Sequence, residues 1–536
     1  MSKLVDFLIV GAGSAGCVLA SRLSESPSNR VVLLEAGRRA PWWDFRVHMP
    51  AALAWPLNGK TYNWGYESEP EPFMNGRRIE HPRGKALGGS SSINGMIFVR
   101  GHPGDYAKWA AREGVENWDY PHCLPYFRRM ETWLGGDSPY RGNSGPLKVS
   151  VGPCENPLFH AWLKAGQEAG HALSEDLNGA RQEGVGAFDM TIYQGQRMSA
   201  DRAYLQPAMS RPNLEVRSKT VAVKILFENG RAAGVRSARG EILKANEIIL
   251  AAGAVGSPQL LQLSGVGNAG HLEELGITVV ADRPGVGENL QDHLEIYLQQ
   301  ACTQPVSLYP ALKPWRQALI GLQWYLFKTG VGASNQFEAG GFIKSNEACD
   351  YPNLQFHFLP LAIRYDGTPQ PRHGFQVHVG PMFSDARGHV RIRSARPDEA
   401  PAILFNYLST DQDRREWVEA VHKAREIFAQ PAFDPYRGPE LSPGDDVQSD
   451  EQILEFVRNN AESAYHLCGT CRMGGDDEAV VDADLKLRGL EGLRVVDASV
   501  FPNVTNGNIN APVIMTAEKA ADHVLGNTLL KPQTPP

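Results

Sequence analysis

Residues 5–37 read VDFLIVGAGSAGCVLASRLSESPSNRVVLLEAG, and this stretch decides the fold. An apolar run precedes three glycines spaced G-x-G-x-x-G, a helical segment and a second apolar run that ends at Glu35. In such a unit the first glycine makes the turn, the second admits a pyrophosphate, and the third lets helix pack on strand. The helix N-terminus offers N–H groups to phosphates, and a carboxylate about 20 residues on can hold ribose hydroxyls. The stretch predicts a dinucleotide site; the alternative is a glycine-rich turn in another α/β fold.

The composition is that of a globular protein with large cores. The chain has 536 residues, of which 42% are hydrophobic and 21% charged, and this length allows two or more domains. Its formal net charge of −7 argues against a nucleic-acid partner, for which a basic stripe is expected. No apolar run approaches the roughly 18 residues that a membrane span needs.

The seven cysteines are scattered along the chain. An odd, scattered set in a long chain indicates reduced thiols and therefore a cytoplasmic location. Cys468 and Cys471 have C-x-x-C spacing, but neither a second pair nor a thioredoxin-like context accompanies them. Packed free thiols are therefore expected, and no metal site is predicted.

Two further segments have the composition of contacts with the same dinucleotide. In residues 81–100 the pair Gly88 and Gly89 leads into small residues and Asn94, so backbone can pack against a flat ring or a phosphate; the alternative is a serine-rich turn. Near the C-terminus the asparagine-rich residues 503–510 open a helix, where free N–H groups face a carbonyl or a phosphate. A dinucleotide domain built from both chain ends is therefore expected.

The middle of the chain, residues 300–460, has a different pattern. Residues 354–358 and 375–379 alternate apolar and polar side chains, which predicts an antiparallel sheet with one covered face. The opposite face is either solvated or the roof of a site; it carries Gln355, His357, Gln376 and His378. Residues 317–327 form an apolar helix candidate, for which burial is the default and a peripheral membrane contact the alternative.

With these motifs the chain resembles the glucose–methanol–choline family of flavin oxidoreductases over nearly its whole length. The resemblance rests on the glycine motif with Glu35, on residues 84–94 and 253–267, and on the C-terminal segments around His466 and over residues 497–510. Within the family the chain is most similar to the choline dehydrogenase branch. The segments that carry this are 43–53, 62–74, 290–295, 305–312, 332–342 and 373–382.

The resemblance implies an α/β fold with two domains. A doubly wound, Rossmann-like FAD-binding domain is expected over residues 1–155, 191–300 and 463–536. A substrate domain with a large antiparallel sheet packed by helices is expected over residues 156–190 and 301–462.

It also implies FAD that is bound noncovalently, because Ile93 stands where some choline oxidases attach flavin to a histidine. The pyrophosphate is expected on residues 11–16 and the ribose on Glu35. The expected cofactor contacts are Gly11, Gly13, Ser14, Ala15, Gly16, Glu35, Ala36, Trp64, Gly88, Gly89, Asn94, Gly95, Met96, Ile97, Asp497, Ala498, Asn508 and Pro512.

The family's catalytic pair falls on His466 and Asn510. His466 is expected to take the hydroxyl proton while hydride passes to flavin, and Asn510 to hydrogen-bond the oxygen. A trimethylammonium group needs a carboxylate and aromatic faces, and the family's anchoring glutamate falls on Glu295. The other substrate contacts that the resemblance implies are Trp55, Phe337, His357 and Tyr465. Leu467 stands where proline is common in the family, a departure that bears on substrate choice.

The resemblance implies oxidation of choline to betaine aldehyde, and leaves open a second stage to glycine betaine. It favours a quinone as electron acceptor, with oxygen or a carrier protein as alternatives, and a cytoplasmic protein for which peripheral contact with the inner face of the membrane stays open. The alternative functions are a dehydrogenase or oxidase of other primary alcohols, a non-redox flavin lyase and a nicotinamide-dependent dehydrogenase.

Overall fold

The computed structural model describes residues 4–364 and 367–535. Its first large sheet contains the strand that begins the glycine motif. The strands of the main path run, in spatial order, Leu214–Arg217, Val31–Leu34, Val5–Val10, Ile242–Leu250, Arg231–Ser237 and Ala222–Glu228, and Leu493–Val495 pairs with Ile242–Leu250. The central pairings are parallel and the hairpin at one edge is antiparallel. Val31–Leu34 is buried throughout, as expected for a parallel sheet covered on both faces.

The second large sheet is antiparallel and contains the alternating segments of the middle of the chain. Its main path runs Arg437–Ser442, Leu294–Cys302, Gly374–Pro381, Leu354–Leu359, Ala339–Ile343 and Gly184–Ala187, and Glu462–Ser463 pairs with Leu294–Cys302. Leu294–Cys302 pairs along Gly374–Pro381, so this sheet begins ahead of the predicted domain boundary at residue 301. The boundary misses it because the alternation of this strand is weaker than that of its neighbours.

The helices and the smaller sheets surround these two sheets. The helices with bounds are Ser14–Leu23, Phe45–His48, Ala54–Leu57, Pro103–Ala110, Tyr120–Met130, Pro157–Glu168, Gln206–Ala208, Gly253–Leu263, Ala269–Glu274, Pro314–Phe327, Asp411–Phe428, Asp450–Asn460 and Asn510–Leu525, with a π-helical turn at Asp201–Leu205. The smaller sheets comprise Ile97–Phe98 with Asp189–Met190, Leu147–Val151 and Glu131–Trp133; Glu288–Leu290 with Gly388–Arg391 and Ala402–Leu404; and the pairs Tyr66–Glu67 with Glu80–His81, Ile192–Tyr193 with Gln196–Arg197, and Val266–Gly267 with Ala281–Asp282.

The two ends of the chain pack together. Ser14–Leu23 and Asn510–Leu525 share one hydrophobic core with the first sheet, while a second core lies under the antiparallel sheet. Arg22 donates to Glu518 at 2.8 Å and Arg129 to Asp522 at 2.7 Å. Arg22 belongs to the first helix and Arg129 to the helix Tyr120–Met130. These part-buried ion pairs therefore fix the last helix against both, so the glycine loop and the C-terminal segment are held as one unit.

The apolar helix of the middle region spans Pro314–Phe327 and lies on the surface. Among its residues only Trp324 is buried, and its indole N–H donates to Gly195 O at 2.7 Å. Leu319, Leu326 and Phe327 are 56%, 60% and 69% exposed. The expectation of burial is therefore wrong, because a single side chain anchors this helix and its remaining apolar face contacts no core.

Cys468 and Cys471 are buried free thiols. Within residues 4–364 and 367–535, no cluster of three or more His, Cys, Asp or Glu side chains could hold a metal ion. Among the described helices none combines the length and apolar character needed to cross a membrane.

Candidate active site

One cavity of about 1090 Å³ collects most of the residues that the sequence singled out. Its walls come from both large sheets, the glycine loop and the C-terminal segment. Of the predicted site residues it is lined by Gly11, Gly13, Ser14, Ala15, Glu35, Ala36, Trp55, Trp64, Gly89, Asn94, Gly95, Met96, Ile97, Glu295, Phe337, His357, Tyr465, His466, Asp497, Ala498, Asn508 and Asn510. Gly16, Gly88 and Pro512 are buried and do not line it.

The glycine loop leaves room for a ligand at one position and is tightly packed at the others. A Cβ on Gly11, whose φ is +103°, would meet Ala251 O at 2.5 Å, and one on Gly16 would meet Gly11 O at 1.9 Å. A Cβ on Gly13 would find no neighbour nearer than 3.8 Å. Gly11 and Gly16 therefore shape the loop, whereas Gly13 faces the cavity, which fits the approach of a phosphate.

Glu35 is buried at the end of the second strand. Its carboxylate accepts the N–H groups of Ala12 at 2.9 Å and Gly37 at 2.7 Å. Burial raises its pKa to about 7, since these backbone donors only partly replace water. The carboxylate is held at the cavity wall, where it fits two ribose hydroxyls.

Asp497 joins the C-terminal segment to the first sheet. It accepts from Gly253 N at 2.9 Å and from Ser257 Oγ at 2.6 Å, at the N-terminus of the helix Gly253–Leu263. Burial raises its pKa. Asp497 therefore ties the C-terminal segment to the start of this helix at the wall of the cavity.

His466 is buried in the cavity wall with its tautomer fixed by its neighbours. His293 Nε2 lies 3.0 Å from Met382 O, a group that can only accept, so His293 carries its proton on Nε2. Burial lowers the pKa of His293 to about 4, so its Nδ1 is a lone pair and accepts from His466 Nδ1–H at 2.9 Å. Burial, reinforced by the neighbouring His293, holds the pKa of His466 well below its ordinary value. His466 Nε2 is therefore an unprotonated base.

The asparagine beside this base is Asn508. Its Nδ2 lies 3.0 Å from His466 Nε2, and its Oδ1 accepts from Gln355 Nε2 at 3.1 Å. Asn510, the predicted partner of His466, instead accepts from Ser14 Oγ at 2.8 Å. The prediction of a His466–Asn510 pair is thus corrected: Asn510 begins the last helix and points to the glycine loop, and the turn before the helix carries Asn508 to the histidine.

Glu295 marks the other end of the site. Its Oε1 lies 3.1 Å from His378 Nδ1. Burial pushes the pKa of this carboxyl up, but its neighbours His378, His357 and Tyr297 together more than offset the rise, so the pKa lies below the ordinary value. An ionised carboxylate on the cavity wall is a ready anchor for a cation.

Aromatic rings stand around that carboxylate. Phe337 packs edge-on against His378 with ring centroids 5.1 Å apart. Tyr465, whose backbone has a left-handed φ of +67°, also lines the cavity. Trp55 is 59% exposed and packs edge-on against Phe45, so it lies at the entrance rather than inside. Trp64 stacks on Tyr66. The predicted aromatic contacts are thus divided between the interior and the mouth of the cavity.

The polar face of the antiparallel sheet is the roof of the cavity, not a solvated surface. Gln355, His357, Gln376 and His378 are all buried, and both histidines line the cavity. Burial lowers the pKa of His357 to about 4. The period-two pattern placed these side chains on one face, but only the packing decides what covers that face.

Sequence reasoning missed three supporting residues. Asp292 accepts from His466 N at 2.6 Å, and His293 fixes the tautomer of His466. Arg83 donates to Tyr465 O at 2.7 Å and lines the cavity. Asp292 and His293 lie in the segment 290–295 that carries the resemblance, three and two positions before Glu295, and this closeness to Glu295 was the available signal.

A dinucleotide-binding α/β domain that shares one cavity with a neutral buried base defines a cofactor-dependent oxidoreductase. The sequence narrows this class further. The N-terminal and C-terminal profiles of the GMC oxidoreductases match residues 5–295 and 384–517, and the chain belongs to this family. The predicted family, fold class and enzyme class are thereby confirmed.

Curated relatives and solved structures are similar over the whole chain. The oxygen-dependent choline dehydrogenase of Staphylococcus xylosus is 54% identical over 99% of this chain and 97% of its own. That of Escherichia coli O157:H7 (strain EC4115 / EHEC) is 55% identical over 99% and 96%. Pyridoxine 4-oxidase from Mesorbium loti has a TM-score of 0.89 at 31% identity, covering 98% of this chain and 100% of that one. Formate oxidase from Aspergillus oryzae has a TM-score of 0.91 at 26% identity over 98% and 99%.

Proposed function

We propose that this protein oxidises choline to betaine aldehyde with FAD as the hydride acceptor. The observation that carries the proposal is the presence in one cavity of a neutral base, His466, and a carboxylate, Glu295, that faces the cavity among aromatic rings. The curated relatives that carry the name choline dehydrogenase support it. A dehydrogenase or oxidase of other primary alcohols is the second candidate, because a neutral alcohol also needs only the base.

The cavity fits FAD. When bound, the flavin supplies a two-electron acceptor for hydride. The open face at Gly13 and the carboxylate of Glu35 suit the pyrophosphate and the ribose, while residues 94–97 and Asp497 line the remaining wall. Ile93 is buried and carries no nucleophile, which supports noncovalent binding.

The histidine pair provides the proton chemistry. With Nδ1–H donated to His293, the lone pair on Nε2 of His466 takes the hydroxyl proton of the alcohol. The amide of Asn508, already at this nitrogen, is positioned to donate to the substrate oxygen as negative charge develops there. The buried carboxylate of Asp292 fixes the backbone of His466 and so the direction of the ring.

Glu295 would hold the ammonium end of the substrate. A trimethylammonium group cannot donate a strong hydrogen bond, so its recognition depends on charge and on aromatic faces. Glu295 supplies the charge, while Phe337 and Tyr465 supply rings. The carboxylate therefore fixes the alcohol carbon at the other end of a short molecule.

Replacing Glu295 by Gln tests the anchor. The change removes the charge and keeps the shape, so kcat/KM for choline should fall about 100-fold, whereas that for the neutral isostere 3,3-dimethylbutan-1-ol should change far less. Steady-state kinetics with both alcohols measure this. Glu462→Gln is the matched control, because Glu462 lies opposite Glu295 on the neighbouring strand but does not line the cavity. Equal losses on both alcohols would remove Glu295 from cation binding.

The proposal includes a peripheral membrane contact. An apolar patch lies on and around the helix Pro314–Phe327, and its ring contacts include Trp42 with Tyr325 at 6.5 Å. The members of the apolar patch are Trp42, Trp43, Trp55, Trp315, Leu319, Leu322, Tyr325, Leu326 and Phe327, all at least 45% exposed. Residues 306–337 contain no Asp or Glu but carry Lys313, Arg316 and Lys328.

This combination suits an anionic lipid surface. Aromatic and aliphatic side chains insert into the interfacial region, and flanking basic residues pair with anionic headgroups. The local positive charge contrasts with the net charge of −7 of the chain. Because Trp55, Leu312 and Gln317 also line the cavity, the patch lies beside the entrance, where a lipid-dissolved quinone would arrive; oxygen is the other candidate acceptor.

A further inference from the structure

A row of buried side chains leads from the antiparallel sheet to Glu295. Gln299 Nε2 donates to Gln376 Oε1 at 2.8 Å, and Gln376 Nε2 lies 2.7 Å from His378 Nε2. His378 Nδ1 in turn lies 3.1 Å from Glu295 Oε1. All of these groups stand on the adjacent strands Leu294–Cys302 and Gly374–Pro381.

The backbone fixes the direction of every hydrogen bond in this row. Ile363 N, a group that can only donate, lies 2.8 Å from Gln376 Oε1, so the amide of Gln376 must turn its NH₂ toward His378. A side-chain NH₂ can only donate. His378 Nε2 is therefore an acceptor without a proton, and the single imidazole proton sits on Nδ1, directed at Glu295.

From this we infer that Gln376 is a positioning residue that keeps His378 electrically neutral, so that the carboxylate of Glu295 retains its negative charge for a cationic substrate. A proton on His378 Nε2 would meet the NH₂ of Gln376 head-on. An imidazolium there would neutralise Glu295 and repel an ammonium group from the same position. The inference rests on the proposed function, since it assigns the device that makes the anchor specific for cations.

The other groups that face Glu295 are compatible with this device. Tyr297 stacks on His378 with centroids 3.7 Å apart, and His357 is neutral because burial lowers its pKa to about 4. On the neighbouring strand, burial raises the pKa of Glu462 to about 7 while Arg77 pairs with it. Burial likewise raises the pKa of Tyr465, so its hydroxyl stays protonated. None of these groups brings a positive charge onto Glu295.

Gln376→Glu is the informative variant. A carboxylate at this position still accepts from Ile363 N and Gln299 but also accepts from His378 Nε2–H, which favours the imidazolium. The readout is the ratio of KM for choline to KM for 3,3-dimethylbutan-1-ol, measured between about pH 6 and pH 9. Gln370→Glu is the matched control, because Gln370 donates to Gln299 one link further from His378.

The wild type and Gln370→Glu are expected to hold a constant ratio across this range, whereas in Gln376→Glu the ratio should rise about tenfold toward the acid end. A flat ratio in Gln376→Glu, or an equal rise in the wild type, would overturn the inference. A wild-type ratio near one at every pH would instead show that Glu295 selects no cation, and the proposed function would fail first.

A measurement on the unmodified holoenzyme covers the case in which Gln376→Glu does not fold. Tetramethylammonium is titrated into the FAD-loaded protein by calorimetry in buffers of different ionisation heat, which counts the protons exchanged on binding. With His378 neutral, no proton leaves it; release that persists in His378→Asn comes from Glu462 and also agrees with the inference. Release of about one proton that disappears in His378→Asn would contradict it.

Discussion

At the scale of single residues, the direction of two histidine protons decides what the site can do. Met382 O sets the tautomer of His293, His293 sets that of His466, and the outcome is a lone pair on His466 Nε2 facing the cavity. Burial keeps this imidazole uncharged, so the base needs no deprotonation before it acts. The backbone carbonyl of Met382, acting through His293, thus determines which nitrogen of His466 is the base.

This arrangement predicts the acid limb of the pH profile. The active form of His466 is neutral, and its pKa is lowered by burial and by His293. As pH falls, kcat/KM for 3,3-dimethylbutan-1-ol should therefore stay on its plateau through about 6.5, the ordinary histidine value, and decline only in more acidic solution. A limb centred at or above the ordinary value would show that the tautomer chain does not protect the base.

Asn508 and Asn510 form a natural pair of test positions. Asn508→Ala removes the donor at His466 Nε2 and should lower kcat about 100-fold. Asn510→Ala removes the acceptor for Ser14 in the glycine loop and should mainly weaken FAD retention. Kinetics at saturating FAD, together with the FAD content after gel filtration, separate the two effects. A larger fall in kcat for Asn510→Ala would restore Asn510 as the catalytic partner.

At the scale of elements, the helix Pro314–Phe327 is the surface that the membrane proposal depends on. Leu322→Glu with Phe327→Glu places two charges in the apolar patch and should abolish flotation with anionic vesicles, because each buried apolar side chain contributes about 1.5–3 kcal/mol. Leu173→Glu, also at an exposed leucine but outside the patch, is the control. Flotation that survives the double change, or that ignores lipid charge, would contradict the contact.

The sequence patterns predicted some strands and helices correctly and others wrongly. The glycine motif predicted the strand, helix and strand of the first sheet, because each glycine has a steric task there. Alternation of apolar and polar side chains predicted the strands around His357 and His378, because successive side chains of a strand point to opposite faces of the sheet. The prediction that the helix Pro314–Phe327 is buried was wrong. An apolar sequence does not show whether a hydrophobic core lies beside the helix. Asn508 was misassigned because a turn, unlike a strand or a helix, has no period from which side-chain direction follows.

At the scale of the whole molecule, the chain closes on itself around the cavity. The first and last helices share one core and are joined by the ion pairs of Arg22 with Glu518 and Asp522, while the antiparallel sheet supplies Glu295 and the roof. The cofactor walls and the cation anchor thus belong to different sheets, and the base is held between them by Asp292 and His293. Substrate selection can therefore vary on one sheet without disturbing the dinucleotide site on the other.

Choline must reduce a flavin in this cavity if the proposed function is right, and anaerobic titration of the purified holoenzyme with choline tests that directly. The visible flavin absorbance should bleach with roughly one equivalent of choline per FAD and return when oxygen or a quinone is added. Denaturation should release the FAD, since Ile93 offers no covalent attachment. Flavin that keeps its colour with choline in excess, while a neutral primary alcohol bleaches it, would contradict the account.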